Sequence, residues 1–320
     1  MPTKIENRNY AIDFLKFIAV LFITNSHFTP LYKDVNTAFA TLGVHGNALF
    51  FFISGFTLAL NKNKTHNNFL HWYKCRLSRI WPTLIMLAIL TNIMYNKAIT
   101  WNNIILASEY WFLQCILYSY IFIYFLLGKK NSIILWGGFL SIFLTIITVL
   151  YCDKSTESIF HYFHWICYIS CMILGIYCAK NKHIIKYGGT KTIISFILYF
   201  IIMSIGKGKN NNLYYTQLFA IIPLHLFLFY FYYWSSTWIS LIYSKKSLYN
   251  PIYWIGSLCL EIYLVQYYFL TDKFNSLFPL NIIIVFGEIL IAAYLLRIST
   301  NFFLQTLNKL PYNWKNIFNL

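Results

Sequence analysis

The chain has 320 residues, of which 59% are hydrophobic, 21% aromatic and 11% charged, and its formal charge is +16. A water-soluble domain carries about 25% charged and about 45–50% apolar residues. This composition therefore excludes a soluble globular enzyme, a disordered chain, a coiled coil and a disulfide scaffold, and points to a polytopic membrane protein.

Apolar runs predict ten membrane-spanning helices, near residues 11–30, 38–60, 80–96, 110–127, 132–151, 163–179, 192–206, 213–233, 251–270 and 279–296. A crossing helix needs roughly 17–25 such residues, and the run at 192–206 is short. The expected fold is an all-α polytopic membrane helical bundle, one integral membrane domain over residues 1–320. With a cytoplasmic N-terminus, eighteen of the 25 Lys and Arg residues fall in inner segments, six in outer loops, and Lys16 within the first span. That asymmetry is the positive-inside pattern, so both termini are expected in the cytoplasm and the protein in the cell membrane as a multi-pass chain. The basicity is thereby explained as orientation, and no basic domain remains to bind nucleic acid. The cysteines Cys75, Cys115, Cys152, Cys167, Cys171, Cys178 and Cys259 are odd in number and mostly within spans, which implies no disulfide framework. The N-terminal run is broken by Asp13 and Lys16 and lacks a cleavage site, so it does not read as a signal peptide.

A charged side chain in a span costs at least about 2.5–3.5 kcal/mol, so each one calls for an explanation. The first span carries Asp13, Lys16 and His27. Eleven residues at about 100° each bring Lys16 and His27 within about 20° around the helix, and about 16 Å apart along it. Asp13 and Lys16 are i,i+3 neighbours that can neutralise each other. One face thus offers an ion pair near the cytoplasmic surface and an imidazole in the outer half. The alternative is a snorkelling lysine and a histidine satisfied by a neighbour.

The second span contains FFFISGF, residues 50–56, and after a basic loop comes CRLSRIWP, residues 75–82. On one helix Arg76 and Arg79 would project from the same side, and guanidinium forks suit bidentate phosphate capture. Ordinary positive-inside anchoring explains either arginine alone. Further along, His161 and His164 share a helical face, which reads as an interfacial belt beside Tyr162 and Trp165 more readily than as a metal site without a third ligand. No metal or permanently bound cofactor is expected. Glu261 and Glu288 must face the bundle interior or a water-filled cavity, Glu288 in a structural role. His45 reads as a satisfied interfacial histidine, and His225 has no assigned role. Nucleotide-binding, zinc-protease and serine-hydrolase motifs are absent from the sequence.

Taken together these residues resemble the acyltransferase-three family of integral membrane acyltransferases. The shared features are Lys16-X10-His27 with Arg8 and Asp13 upstream, the Phe-rich run ending in Ser54-Gly55-Phe56, and Arg76, Arg79 and Pro82. Trp111-Phe112-Leu113 and Ser257…Tyr263-Leu264-Val265 continue the likeness to about residue 268. Two positions depart from it. Gln266 stands where many members have His, and Gln114 and Cys115 follow the Trp-X-Leu element where a Glu is common.

The resemblance implies an O-acetyltransferase that takes acetyl from cytosolic acetyl-CoA and gives it to a hydroxyl of a surface or lipid-linked polysaccharide. Arg76 and Arg79 would hold the phosphates of acetyl-CoA, with Lys16 adding positive charge along the path. His27 would act as general base toward the sugar hydroxyl, with the thioester placed beside it and Asp13 and Lys16 in the same catalytic array. Direct transfer and an acetyl-histidine relay both remain open. Glu261, Ser54 and Trp111 are the expected substrate contacts. The alternative reading is a non-enzymatic saccharide exporter or flippase, which would spread its charged residues over several helices.

Overall fold

In the computed structural model, residues 9–60, 68–96, 98–100, 104–105, 107, 109–151, 159–207, 213–243, 245–309 and 311–318 are described, without the side chains of 159–164, 240–241 and 246–248. Arg8, Cys152 and the side chains of His161 and His164 fall outside this set. The described residues form helices and contain no strand. In chain order they are α1 (Tyr10–His27), α2 (Gly43–Leu60), α3 (Phe69–Leu77), α4 (Trp81–Tyr95), α5 (Trp111–Leu126), α6 (Asn131–Tyr151) and α7 (Ile159–Lys180). There follow α8 (Gly188–Ile205), α9 (Ile221–Tyr243), α10 (Lys246–Ser257), α11 (Cys259–Val265), α12 (Leu280–Leu307) and α13 (Trp314–Phe318).

Among the described residues, six helical stretches are long and apolar enough to cross a membrane: Thr37–Leu60, Phe69–Tyr95, Asn131–Tyr151, Gly188–Ile205, Tyr214–Ile239 and Leu280–Leu307. The other expected spans differ for physical reasons. Trp111–Leu126 and Trp165–Lys180 are apolar but shorter. Helix α1 has 18 residues, yet Asp13, Lys16, Asn25, Ser26 and His27 dilute its hydropathy. The run at 251–270 is interrupted: α10 stops at Ser257, α11 starts at Cys259, and Gln266–Tyr268 tighten into a 3-10 turn. Non-helical backbone at membrane depth is tolerated where protein or a water-filled cavity surrounds it. The short run at 192–206 gains a full turn at its start, because Gly188 and Gly189 lie close under Trp234. A Cβ on Gly189 would stand 2.9 Å from that indole.

The chain folds as two compact units that alternate along the sequence. The first comprises Met1–Leu15, Asn47–Thr65 and Ile121–Tyr249. It pairs α6 with α7 and α8 with α9. Cys167, Tyr168, Cys171, Met172 and Ile176 form the buried face of α7, at helical spacing. Phe51 stacks on Tyr168 with ring centroids 4.9 Å apart. A Cβ on Gly55 would fall 1.9 Å from the Met172 carbonyl oxygen, and one on Gly175 would fall 2.0 Å from that of Phe52. The backbones of α2 and α7 therefore touch, the close approach that small residues permit between membrane helices. The glycine of the Ser54-Gly55 pair has a packing reason.

The second unit comprises Lys16–Gly46, His66–Tyr120 and Asn250–Leu320. Helix α12 packs against α11 and α4, and α13 folds back on α12. The first turn of α2 meets α1 through two glycines: a Cβ on Gly43 would stand 2.6 Å from Ser26 Oγ, and one on Gly46 2.9 Å from the Ile23 nitrogen. The loop after α1 is held by asparagines. Asn275 Nδ2 donates to the Pro30 carbonyl at 3.0 Å, and Asn281 Nδ2 to that of Leu31 at 3.0 Å.

Candidate functional site

His27 is the last residue of α1 and is half-buried. Its Nε2 lies 3.2 Å from the Tyr267 hydroxyl. The two rings meet edge to face, with centroids 4.8 Å apart and planes at 64°. Asn25, half a turn earlier, braces this end of the helix: its Nδ2 donates to the carbonyls of Phe39 (2.8 Å) and Thr41 (3.1 Å), while its Oδ1 accepts from Tyr32 at 2.8 Å.

Tyr267 reaches His27 because the preceding helix is broken and pinned. Glu261, 1% exposed, lies on α11 and faces Arg297 on α12. Arg297 Nε is 2.8 Å from Oε1, and Nη2 donates to Oε2 at 2.9 Å. The same Nη2 donates to the Ser257 carbonyl at 2.8 Å, which satisfies a carbonyl freed where α10 ends. The next turn then presents Gln266 inward and Tyr267 outward, fully buried and 44% exposed respectively. Neither polar side-chain atom of Gln266 has a hydrogen-bond partner among the described residues. Thr24 Oγ1, one turn before His27, is likewise buried without one.

Two motif segments far apart in sequence converge here. Tyr110 and Phe112, flanking Trp111 at the start of α5, meet the Tyr263 ring at 6.1 Å and 5.1 Å. Trp111 itself is half-buried, edge-on to Phe112. Tyr268 stacks on Tyr95 at 5.6 Å and borders, with Thr91, Glu109 and Tyr110, a cavity of about 30 Å³, which holds water and little else.

Lys16 is half-buried on α1, eleven residues before His27. It lies within electrostatic range of Cys259, as do Glu261 and Arg297. Positive charge at this level is thus shared between Lys16 and Arg297, with Glu261 balancing one of them. Asp13 is buried on α1 and Ser54 half-buried on α2; both belong to the first unit.

Arg76 and Arg79 do not share one helix. Pro82 occupies the first turn of α4, where its missing N–H costs nothing, and α3 ends at Leu77. Arg76 stands in the last turn of α3 and Arg79 in the turn that follows, and the two remain within electrostatic range of each other. Arg76 lies 5.4 Å over the buried Trp72 ring, and its Nε is buried without a hydrogen-bond partner among the described residues. Arg79 is exposed. A guanidinium held over an indole with an open donor, beside a second one in solvent, is suited to a phosphate-bearing ligand.

The remaining polar residues of the sequence reading lie apart from this contact. His225 bonds the Ile221 carbonyl through Nδ1 and Ser170 Oγ through Nε2, both at 2.8 Å. His45 is fully buried in the first turn of α2 and Glu288 half-buried on α12. Among the described residues, no three His, Cys, Asp or Glu side chains gather as a metal site would require. Two participants escape a reading of the sequence, Tyr267 and Arg297. The first is one aromatic among many, and the second stands at the edge of an apolar run.

A family model described as an acyltransferase domain matches residues 9–298, most of the chain and parts of both units. No curated protein and no solved structure matches the chain.

Proposed function

The chain belongs to the acyltransferase-three family, whose model matches residues 9–298, and from that premise we propose that it is a membrane O-acetyltransferase. Its donor is cytosolic acetyl-CoA and its acceptor a hydroxyl of a surface or lipid-linked polysaccharide. The observation that carries this reading is the state of the two motif centres within one unit. His27 presents Nε2 to a hydroxyl group at 3.2 Å, and Arg76 keeps an open Nε beside Arg79.

The nucleotide end of acetyl-CoA is held by Arg76 and Arg79, and the thioester reaches toward His27 past Lys16. His27 takes the proton of the acceptor hydroxyl as its oxygen attacks the thioester carbonyl. The new C–O bond forms, the C–S bond breaks, and the departing thiolate recovers the proton from the imidazolium. Trp111 and Glu261 bear on the acceptor side of this reading, Glu261 through its hold on α11. Asp13 offsets part of the charge of Lys16. The cytoplasmic termini follow from the distribution of Lys and Arg.

The test supplies radiolabelled acetyl-CoA to membranes holding the wild type or His27→Ala. Label is expected in the glycan fraction with the wild type and lost with the variant. Equal labelling by both would overturn the assignment of His27. A saccharide exporter has no observation in its favour, whereas the family match is to an acyltransferase domain.

A further inference from the structure

The Tyr267 hydroxyl stands in hydrogen-bonding contact with the one atom, His27 Nε2, that must take a proton from the acceptor. We infer that Tyr267 is a specificity-determining residue at the transfer centre. In the absence of acceptor its phenol fills the place of the acceptor hydroxyl at Nε2, and so denies that place to water. This rests on the reading of His27 as the base.

Three features support a placeholder over a fixed structural contact. First, both backbones are held. The loop after His27 is tied by Asn275 and Asn281, and the turn carrying Tyr267 follows the helix that Arg297 clasps. Second, the side chain itself is partly uncovered. Tyr267 is 44% exposed, while its neighbours Gln266 and Tyr268 are buried and stacked respectively. Third, a phenol donating to Nε2 requires the tautomer with hydrogen on Nδ1, which is the tautomer that leaves Nε2 able to accept a proton. With the phenol as donor, the contact keeps the imidazole ready without consuming it.

The need for such a device follows from the chemistry. Water at Nε2 would follow the same steps as a sugar hydroxyl: its proton passes to His27, a C–O bond forms, the C–S bond breaks, and acetate and free CoA result. Water is far more abundant than any saccharide. A bulky acceptor displaces the phenol by docking along the groups around it, which water does not engage.

The test measures release of free CoA thiol from acetyl-CoA by purified full-length protein with no acceptor present. Tyr267→Phe keeps the ring and removes the hydroxyl; it is expected to leak CoA about five- to tenfold faster than wild type, the size of one lost hydrogen bond to the base. Adding His27→Ala is expected to abolish the excess. Leakage equal to wild type overturns the proposal, and so does excess leakage that survives His27→Ala. Tyr267→Leu, without the ring, should leak at least as much, and size-exclusion profiles of all variants report folding. Membranes holding the same proteins are scored in parallel for labelling of the glycan fraction. If the wild type labels glycan and Tyr267→Phe does not leak, the placeholder alone fails. If the wild type never labels glycan, the acetyltransferase reading fails with it.

Discussion

Glu261 and Arg297 form a two-point ion pair, with N–O distances of 2.8 and 2.9 Å, between α11 and α12. The carboxylate side chain is 2% exposed and the guanidinium 29%. Removing one partner of such a pair leaves a buried charge uncompensated, at a cost of about 3–5 kcal/mol. Glu261→Leu and Arg297→Met, made singly, are each expected to lower thermal stability in detergent, toward the smaller figure because Arg297 reaches solvent. Together they should recover most of it, since two apolar groups replace two charges. A double variant no more stable than the worse single one would show that the pair contributes more than its own charge balance, through the Ser257 carbonyl that Arg297 also holds.

Gly55 and Gly287 make a matched comparison of what a methyl group does. At Gly55 the new carbon would lie 1.9 Å from a carbonyl oxygen of α7, and at Gly287 nothing lies within 4 Å. Backbone cannot step aside as a side-chain tip can, so Gly55→Ala is expected to separate α2 from α7 and lower the yield of folded protein sharply. Gly287→Ala is expected to be neutral or stabilising by up to about 1 kcal/mol, from helix propensity alone. Fluorescence-detected size exclusion of the two variants side by side decides the matter.

How far the sequence carries can be seen residue by residue. The spacing of Lys16 and His27 on one helix was legible, because helical phase depends only on counting. The touching backbones at Gly55 were marked by a motif whose reason lay in α7, more than a hundred residues away. The break at Leu258 is invisible in the sequence: residues 251–270 read as one apolar run, and hydropathy does not register that Arg297 stands ready to donate to a freed carbonyl. Arg76 and Arg79 read as a pair on one helix, whereas α3 ends at Leu77 and Arg79 falls in the turn before the helix that Trp81 and Pro82 begin. Tyr267 gave no signal at all. One tyrosine among 27 acquires meaning only from the imidazole opposite.

The Arg76 guanidinium separates charge from shape. Arg76→Lys keeps the positive charge but loses the planar fork and its place over the Trp72 ring. If the fork grips phosphate, the variant should raise KM for acetyl-CoA about tenfold and leave kcat within about twofold, the pattern of a lost ground-state contact. Arg79→Lys, at an exposed position, should show a smaller rise that shrinks as salt screens it. Steady-state kinetics at two ionic strengths measures both. A fall in kcat with unchanged KM would assign Arg76 to the chemistry and remove it from donor binding.

Gln266 lets folding and function be pulled in opposite directions. Its amide is fully buried, and neither polar atom finds a partner among the described residues. An unsatisfied buried amide opposes folding by about 1–3 kcal/mol, and an apolar group of like shape removes that opposition. Gln266→Leu is thus expected to raise the unfolding temperature in detergent. If the amide exists to meet hydroxyls of the acceptor, the same change should cut transfer to the glycan fraction about tenfold or more, the scale set by a polar group left unpaired in a binding site. Release of CoA without acceptor should stay as in the wild type, because water makes no use of Gln266. Stability gained with transfer intact would mean that a buried water satisfies the amide; stability lost would mean that it has a protein partner. Only stability gained with transfer lost marks Gln266 as the residue at which this chain adapts the family's ninth-span motif to its own acceptor.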